Sequence, residues 1–434
     1  MSFNPQAIAL NETIKAGNKH VFSLLSQRGK KIFFPKQGIL SQSAEARGKK
    51  INATIGTALE DDGAPMVLHS IDSLSNLNKT EGFNYAPSQG RPEIRSIWIK
   101  MLPKKNPSLK GKTFSTPVVT SALTHGLSMG GYLFVDDGDE IISPDRYWEN
   151  YDLVFSHGYN ARISTFSTFI DNTRFNIDGL RDKLMASPAG KKIVILNFPN
   201  NPTGYTISKT EALQLRDLFI KAADAGNSIV VFIDDAYFGL VYEEETLKES
   251  MFGLLADAHE GILAIKFDGP TKEDYVWGFR VGFITFGVKG GTPELYGALE
   301  AKLSGAIRGN ISNASNFAQS FLLTAYESPT YDSEKVEKYE TLERRYSRIK
   351  ALLAEHTEYR EFFHALPYNS GYFMCIKIRT GDAEAVRKVL LEKFDTGLIA
   401  QGDVLRIAFS STPLSLIDEL FDNCYKAAKE CAAR

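Results

Sequence analysis

The stretch KKIVILNFPNNPTGYTISKTEALQLRDLFIKAADAGNSIVVFIDDAY, residues 191–237, decides the fold. Near its two ends lie the apolar runs Ile193–Leu196 and Ile229–Ile233, in which hydrophobic residues are consecutive rather than alternate. Consecutive apolar residues are typical of strands that are buried on both faces of a parallel sheet. The stretch therefore predicts two neighbouring parallel strands.

The segment between these strands predicts a helix. Ser208 and Glu211 have the spacing of a capping box, and Gly226 stands where a helix of this length should end. A strand, a helix and a strand in this order form a βαβ unit. A third apolar run, Ile262–Ile265, continues the pattern. The sequence thus predicts an α/β fold with a large, doubly wound, mainly parallel sheet.

The pattern changes beyond about residue 340 and predicts a smaller α+β domain, completed by N-terminal residues. Its predicted elements are a helix over Glu340–Leu353, strands over Tyr372–Ile378 and Val404–Ala408, and a last helix from Leu414. We expect a large domain at 66–342 and a small domain at 1–65 and 343–434. Within the large domain, Pro103–Pro107 predicts an exposed loop because it carries two prolines.

Composition excludes several classes of protein. The 434 residues include 50 Lys+Arg and 52 Asp+Glu, a net charge of −2, which disfavours a nucleic-acid partner. The cysteines Cys375, Cys424 and Cys431 have neither disulfide nor zinc-ligand spacing, so no metal is predicted. No secretory signal follows Met1, and no apolar run approaches the ~20 residues of a membrane span. We expect a cytoplasmic protein with no membrane partner.

Polar residues follow each of the three apolar runs. Asn201 follows the first run, Asp234 and Tyr237 follow the second, and Lys272 and Arg280 follow the third. Taken singly, such residues indicate a turn, a helix cap or a surface charge. Because ligands of open α/β sheets bind at the carboxyl ends of the strands, we expect these side chains to converge on one crevice.

The order of these residues resembles that of fold-type-I pyridoxal-phosphate enzymes, and the chain is similar to the aspartate aminotransferase superfamily from about Ile55 to Arg406. The resemblance implies pyridoxal 5′-phosphate as cofactor, bound covalently by Lys272, the catalytic residue, whose amine can react with the cofactor aldehyde. Asp234 would keep the pyridine nitrogen protonated. It is preferred over Asp235 because the family places this carboxylate three residues before the tyrosine.

The resemblance also assigns the surroundings of the cofactor ring. Tyr237 and the amide of Asn201 would bind the ring oxygen, and Arg280 would bind the phosphate through its planar, permanently charged guanidinium. Trp148 is the preferred candidate for the aromatic ring that stacks on the cofactor, with Tyr147 as the alternative. A packed interface aromatic is a second reading of Trp148.

The segment Val118–Gly126 resembles the phosphate cup of the family. The backbone amides of Ala122 and Leu123, together with the Thr124 hydroxyl, would meet the phosphate at a helix N-terminus. An ordinary turn between strand and helix is the alternative reading of this segment. Ala122 stands where the family often has serine or glycine, and Gly269 stands where it often has serine, so the chain is expected to belong to a side branch.

For the substrate, the resemblance implies that Arg406 binds the α-carboxylate as a bidentate pair, with Asn201 nearby. Gly56 would let the substrate approach the backbone closely. Tyr85 would reach the phosphate bound by a neighbouring subunit, which implies a homodimer with shared active sites. Arg308 matches the arginine that binds the side-chain carboxylate of dicarboxylic substrates. The alternatives are that it only stabilises the interface or swings aside for aromatic side chains.

The implied function is that of a pyridoxal-phosphate-dependent aminotransferase acting on an L-amino acid, such as aspartate, glutamate or an aromatic one, and a 2-oxo acid. Another fold-type-I enzyme, such as a C–S lyase or a decarboxylase, is an alternative because the cofactor performs the difficult step. A non-catalytic regulator that binds the cofactor is a further alternative. Residues 1–60 show neither the basic charge nor the helix-turn-helix pattern of such a regulator.

Overall fold

The computed structural model describes residues 4–17, 22–23, 25, 27–32, 38–72, 82–379 and 381–433. Parts of both predicted domains, including 1–3 and 73–81, lie outside the described residues. Within the described ranges, no helix has both the length and the apolar character needed to cross a membrane.

The described residues form helices and strands that alternate along most of the chain. The α-helices are α1 (Pro5–Gly17), α2 (Gln27–Lys31), α3 (Ile39–Glu45), α4 (His69–Asp72), α5 (Pro92–Lys105), α6 (Ala122–Phe134), α7 (Ile177–Leu184), α8 (Lys209–Asp224), α9 (Met251–Leu255), α10 (Pro270–Glu273), α11 (Pro293–Asn310), α12 (Asn316–Tyr326), α13 (Tyr331–Glu355), α14 (Ala383–Lys393) and α15 (Ile417–Ala432). The strands are β1 (Ile51–Asn52), β2 (Val118–Thr120), β3 (Glu140–Pro144), β4 (Arg162–Phe166), β5 (Phe169–Ile170), β6 (Arg174–Phe175), β7 (Lys191–Asn197), β8 (Ser228–Asp234), β9 (Ile262–Asp268), β10 (Gly282–Gly287), β11 (Phe363–Ala365), β12 (Phe373–Ile378), β13 (Thr396–Gly397), β14 (Ile399–Gln401) and β15 (Val404–Ala408).

The main sheet has seven strands in the order β2-β10-β9-β8-β7-β3-β4. All neighbours pair in parallel except β10, which is antiparallel to both β2 and β9. The predicted α/β fold with a mainly parallel sheet is confirmed. In the register of the central strands, Asn197 at the end of β7 lies beside Asp234 at the end of β8. The residues that follow β7, β8 and β9 therefore meet at one edge of the sheet.

The capping box predicted before α8 is present. The Ser208 hydroxyl accepts from the backbone N–H of Glu211 at 3.1 Å, and the Glu211 carboxylate accepts from the backbone N–H of Ser208 at 2.7 Å. Gly226, just beyond the end of α8, has a φ of +93°, a conformation that costs glycine little. Leu215 and Phe219 bury the apolar face of α8 against the sheet.

A second, four-stranded antiparallel sheet has the order β11-β12-β15-β14 and packs with α14 and α15 around its own apolar cluster. Arg345 of α13 donates to the carbonyl oxygens of Leu59 and Ser410, both at 2.6 Å, and so joins N-terminal residues to this sheet. The division into domains at 66–342, and at 1–65 with 343–434, stays a prediction.

The predicted exposed loop at Pro103–Pro107 is wrong. The helix α5 continues through Pro103 to Lys105, and Asn106 is buried. Tertiary contacts explain this, because Leu102 is buried in the core and the Asn106 side chain accepts a hydrogen bond from the backbone N–H of Ser250 at 2.8 Å. The local sequence around Pro103 and Pro107 does not indicate these contacts, which involve residues distant in the sequence.

Candidate active site

The carboxyl ends of β7, β8 and β9 surround a cavity of about 250 Å³. Its walls come from β7, β8, the N-terminus of α6, the short helix α10 and the loops that follow the strands. The lining residues are Ala122, Leu123, Thr124, Trp148, Asn197, Asn201, Asp234, Ala236, Tyr237, Thr271, Lys272 and Arg280. Every residue that the sequence predicted around the cofactor lines this cavity, with the exception of Tyr85.

Lys272 lies on α10, a helix of four residues. Its ammonium nitrogen lies 5.0 Å from the centroid of the Tyr237 ring, and its backbone carbonyl accepts from the Tyr372 hydroxyl at 3.1 Å. Burial and the nearby Arg280 lower the pKa of Lys272 to about 8, although Asp234 acts in the opposite direction. A substantial fraction of this amine is therefore neutral, and so nucleophilic, near physiological pH.

Asp234 ends strand β8 and is 2% exposed. One carboxylate oxygen accepts from the Tyr151 hydroxyl at 2.6 Å and the other accepts from the backbone N–H of Ala236 at 3.1 Å. Burial raises the pKa of Asp234, whereas Tyr151 and Lys272 oppose this rise. The structure thus places a hydrogen-bonded, buried carboxylate opposite the amine of Lys272.

Asp235 faces away from the cavity, as the register of the family motif predicts. Its carboxylate accepts from the Ser250 hydroxyl at 2.6 Å and pairs with the ammonium of Lys266. Successive residues at the end of a strand point to opposite faces of a sheet, which separates Asp234 from Asp235.

Tyr237 and Asn201 lie together at one wall of the cavity. Burial raises the pKa of Tyr237 above its usual value, while Arg406 and a hydrogen bond with Asn201 oppose that rise. The backbone N–H of Asn201 donates to the side-chain oxygen of Asn197 at 2.8 Å, and this bond fixes the loop after β7. Both polar side chains are therefore held in place before any ligand binds.

The opposite end of the cavity has the properties of an anion site. The first residue of α6, Ala122, has a φ of +63°, and Arg280 has a φ of +54°, both unusual for non-glycine residues. A Cβ on Gly282 would lie 2.7 Å from the Ala122 carbonyl carbon, so only glycine allows this approach. The buried Thr271 hydroxyl has no hydrogen-bond partner among the described residues. A helix N-terminus, a guanidinium and an unpartnered hydroxyl are suited to a phosphate.

Arg406, on β15, lies beside the cavity and is 3% exposed. Its guanidinium donates to the Asn201 side-chain oxygen at 3.2 Å and to the Thr54 carbonyl at 3.1 Å, and lies 4.4 Å from the Phe373 ring centroid. In the described part of the chain its Nε has no partner, and these bonds lead only to neutral oxygens. Burial lowers the pKa of Arg406. A buried cation without a carboxylate is suited to binding an anionic ligand.

The two aromatic candidates differ in position. Trp148 lines the cavity and makes an edge contact with Tyr151, with ring centroids 5.7 Å apart. Tyr147 does not line this cavity; it lines a neighbouring groove, which Trp148 also borders, and donates to Asp152 at 3.0 Å. Of the two, only Trp148 is placed to contact a ring bound in the cavity.

Besides Arg406, three predicted substrate or partner residues do not line the cavity. The Tyr85 side chain is 89% exposed. Arg308, near the end of α11, is exposed and donates to the Ser312 hydroxyl at 2.7 Å. Gly56 lies on the Arg406 side of the site, because a Cβ on it would be 3.7 Å from the Phe373 ring.

The sequence analysis missed Tyr151 and Asn197. Tyr151 stands three residues after Trp148, a spacing that places both on one face of a helical turn. Asn197 ends β7, and its amide donates to the Asp234 carbonyl at 2.8 Å. Its position after an apolar run was the available signal, the same one that drew attention to Asp234.

Comparison with known proteins agrees with this geometry. The model of the family "Aminotransferase class I and II" matches residues 49–422. A probable aspartate/prephenate aminotransferase of Aquifex aeolicus is 25% identical over 56% of this chain and 57% of the relative. An aspartate aminotransferase of Bacillus subtilis is 24% identical over 71% of this chain and 74% of the relative. The chain spans 57%, 48% and 63% of the length of the relatives from Aquifex aeolicus, Pyrococcus abyssi and Bacillus sp..

Solved structures share the fold. An aminotransferase from Anaerococcus prevotii superposes with a TM-score of 0.81 at 23% identity, covering 93% of this chain and 98% of that chain. An aspartate aminotransferase from Thermus thermophilus, solved with maleate, gives a TM-score of 0.69 at 19% identity, covering 94% of this chain and 99% of that chain.

Proposed function

The chain belongs to the class I and II aminotransferase family, and we propose that it is a pyridoxal-phosphate-dependent aminotransferase that moves an amino group between an L-amino acid and a 2-oxo acid. One observation carries the proposal. The amine of Lys272, with a pKa lowered to about 8, shares a small cavity with the buried carboxylate of Asp234. The guanidinium of Arg406, which among the described residues donates only to neutral oxygens, lies beside that cavity.

The residues of the cavity fit pyridoxal 5′-phosphate. The Thr271 hydroxyl, which lacks a partner among the described residues, together with Thr124, Arg280 and the amides of Ala122 and Leu123, would hold the phosphate. Trp148 would cover one face of the cofactor ring, and Tyr237 with Asn201 would donate hydrogen bonds to the ring oxygen. Asp234 would face the pyridine nitrogen.

When bound, the cofactor supplies an aldehyde and a ring that accepts electrons from the substrate carbon. The chain's own residues then bind, orient and move protons. Asp234 would keep the ring nitrogen protonated, a role that requires the carboxylate to stay charged. Lys272 would hold the cofactor through its amine and would serve as the general base for the proton on the substrate Cα. Arg406 binds the α-carboxylate and so fixes which bond is broken.

For the substrate side chain we propose a dicarboxylic acid. Glutamate and 2-oxoglutarate would form at least one substrate pair, and aspartate or an aromatic amino acid would be the other donor. Arg308 is exposed in the single chain, so a partner subunit could bring it to the site. A guanidinium that becomes desolvated at an interface favours a carboxylate because an apolar side chain would leave the charge unpaired.

We propose that the enzyme is a homodimer with shared active sites. Tyr85 and Phe83 are each 89% exposed, and Phe317 is 53% exposed, which is unusual for large apolar side chains outside an interface. Tyr85 does not line the cavity of its own chain, and we propose that it contacts the phosphate bound by a second copy. We further propose a cytoplasmic location, which is supported by the absence of a disulfide bond among the described residues Cys375, Cys424 and Cys431.

A half-reaction tests this function and separates it from the lyase and decarboxylase alternatives. The holoenzyme is mixed with L-glutamate alone, and the cofactor absorbance and the released acids are measured. A transaminase releases one equivalent of 2-oxoglutarate per site and leaves the cofactor in its amine form. A lyase or a decarboxylase would release other products repeatedly and return the cofactor as the aldehyde. Repeating the titration with aspartate, phenylalanine, tyrosine and several 2-oxo acids would identify the substrates.

A further inference from the structure

A set of buried and half-buried charged side chains lies behind the cavity without lining it. We call it the buried charge network. In spatial order, its members are Asp235, Lys266, Asp268, Lys105, Glu273, Lys335 and Asp274; ion pairs join the first three and the last four, and the Trp98 side chain lies between Asp268 and Lys105. The charges alternate in sign along this order, so each member has a neighbour of opposite charge. Asp235 is adjacent in sequence to Asp234, and Glu273 is adjacent to Lys272.

The first part of the network lies inside the sheet. Lys266 on β9 is fully buried and pairs with Asp235 and, at 3.2 Å, with Asp268. The Trp98 indole N–H donates to Asp268 at 3.2 Å. The Lys105 ammonium lies 4.2 Å from the centroid of the same Trp98 ring and so continues the network toward α10.

The second part surrounds the end of α10. Glu273 pairs with Lys105 at 2.5 Å and with Lys335 at 2.8 Å. Burial would raise the pKa of Glu273, but the two lysines outweigh it and hold the pKa at about 2, so the carboxylate is charged. Lys335 also pairs with Asp274 at 3.0 Å. The hydroxyl of Tyr326 donates to Asp274 at 2.9 Å.

Helix α10 needs such support because it cannot fix its own orientation. It has four residues, and its N-cap residue, Gly269, provides no side-chain hydrogen bond. A helix of one turn has no intrinsic stability in water. The direction of α10 is therefore set by tertiary contacts. Glu273 and Asp274, the two residues that follow Lys272 in the sequence, provide ion pairs among these contacts.

Lys335 adds a connection to the other sheet. It lies near the start of α13, a helix of 25 residues. Further along the same helix, Arg345 donates to the carbonyl of Ser410, which follows the strand that carries Arg406. One rigid helix thus contacts both the support of Lys272 and the neighbourhood of the buried guanidinium of Arg406.

From this geometry we infer that Glu273 and Lys335 are positioning residues for Lys272: their ion pair holds α10 so that the lysine amine stays enclosed opposite Asp234. The inference rests on the proposed function only in giving that amine a catalytic purpose.

The test measures how enclosed the amine is. The full-length chain without added cofactor is treated with formaldehyde and cyanoborohydride across a pH series, and methylation of Lys272 is quantified by peptide mass spectrometry. Lys335→Met should loosen α10, admit water and raise the pH of half-maximal labelling by about one unit toward the ordinary value for lysine. Holoenzyme carrying Lys335→Met should also lose kcat more than it changes KM.

Lys338→Met is the control, since Lys338 lies one turn further along α13 and pairs with Glu60 at 2.8 Å instead of contacting α10. Lys338→Met should leave the pH of half-maximal labelling of Lys272 unchanged. Lys335→Arg, which keeps the positive charge, should give the wild-type value. Tyr326→Phe, which removes one hydrogen bond to Asp274, should raise the pH of half-maximal labelling by a smaller amount. This variant replaces Lys335→Met as the test if Lys335→Met does not fold. An unchanged midpoint in the variants that fold, or an equal shift in the control, would overturn the inference. Neither result depends on whether the protein transaminates, so failure of the proposed function is a separate outcome.

Discussion

The Tyr151 hydroxyl donates to the Asp234 carboxylate at 2.6 Å, and both groups are buried beside the cavity. This bond opposes the rise in the pKa of Asp234 that burial causes. A hydrogen bond to a charged group contributes about 1.5–3 kcal/mol. Tyr151 thus supports the charged form of the carboxylate on which the proposed reaction depends.

Tyr151→Phe should therefore move the acid limb of the kcat profile to higher pH. Without the donor, the pKa of Asp234 rises further, so the carboxylate becomes protonated at a pH where the wild-type group is still charged. We expect kcat at neutral pH to fall roughly ten- to a hundredfold. Tyr147→Phe is the control, because its hydroxyl bonds to Asp152 outside the cavity. An acid limb that stays in place in Tyr151→Phe would show that this bond does not affect the ionisation of Asp234.

Lys272→Ala should abolish turnover, while the protein can still bind the cofactor noncovalently. Borohydride treatment of the wild-type holoenzyme should fix the cofactor to Lys272, which peptide mapping would detect. We expect the label on Lys272 because no other lysine among the described residues lines the cavity. A label on another lysine would overturn the assignment.

Asp234 and Asp235 should respond differently to replacement. Asp234→Ala removes the charge that faces the cavity, and the loss of one preorganised electrostatic contact costs ~10²–10³-fold in kcat. Asp235→Ala leaves the buried ammonium of Lys266 with less compensation, so it should destabilise the fold by about 3–5 kcal/mol and affect kcat less. Thermal unfolding and steady-state kinetics on both variants separate the effects. A larger kinetic loss in Asp235→Ala would mean that the motif is displaced by one residue.

Two neighbouring charges should change the pKa of Lys272 in opposite directions. Since its pKa is lowered to about 8, reductive methylation without cofactor should be half-maximal near that pH, well below the ordinary value of about 10.4 for a lysine side chain. Arg280 lowers this pKa and Asp234 raises it. Arg280→Met should therefore move the midpoint up, and Asp234→Asn should move it down. Shifts in the same direction would show that the two charges do not control the amine.

The parts of the site that the sequence predicts are those encoded locally. The apolar runs of β7, β8 and β9 fix where each strand ends, and the residues that follow them, such as Asp234, meet because parallel strands share one edge. The capping box at Ser208 is likewise a contact between near neighbours. Such patterns need no knowledge of distant segments.

What the sequence could not predict depends on contacts between distant residues. Tyr151 bonds to a carboxylate 83 positions away. Lys266 pairs with Asp235 across two strands, and Lys335 meets Glu273 from another helix. A charged residue in a sequence is ordinarily a solvated one, so nothing in the pattern marked these as buried. The predicted loop at Pro103 was wrong for the same reason, because the burial of Leu102 in the core stabilises the helical conformation of that part of α5.

Hybrid dimers test whether the active sites are shared. Lys272→Ala and Tyr85→Ala chains, coexpressed with different tags, should recover activity in the hybrid, because one of its sites then contains both native residues. Lys272→Ala with Arg406→Ala should recover none, since both residues serve the cavity of their own chain. Recovery in the second hybrid, or its absence in the first, would contradict the proposed arrangement.

The last prediction concerns the choice of substrate. Arg308→Leu removes an exposed guanidinium whose bond within the chain is to the Ser312 hydroxyl, so the fold should tolerate the change. If a partner subunit buries Arg308 at the site, kcat/KM for glutamate and aspartate should fall by ~10²-fold, the cost of a lost charged hydrogen-bond pair. Values for phenylalanine and tyrosine should change little, because their side chains offer no carboxylate. Equal losses on all four substrates would remove Arg308 from specificity and leave it a structural residue of the interface.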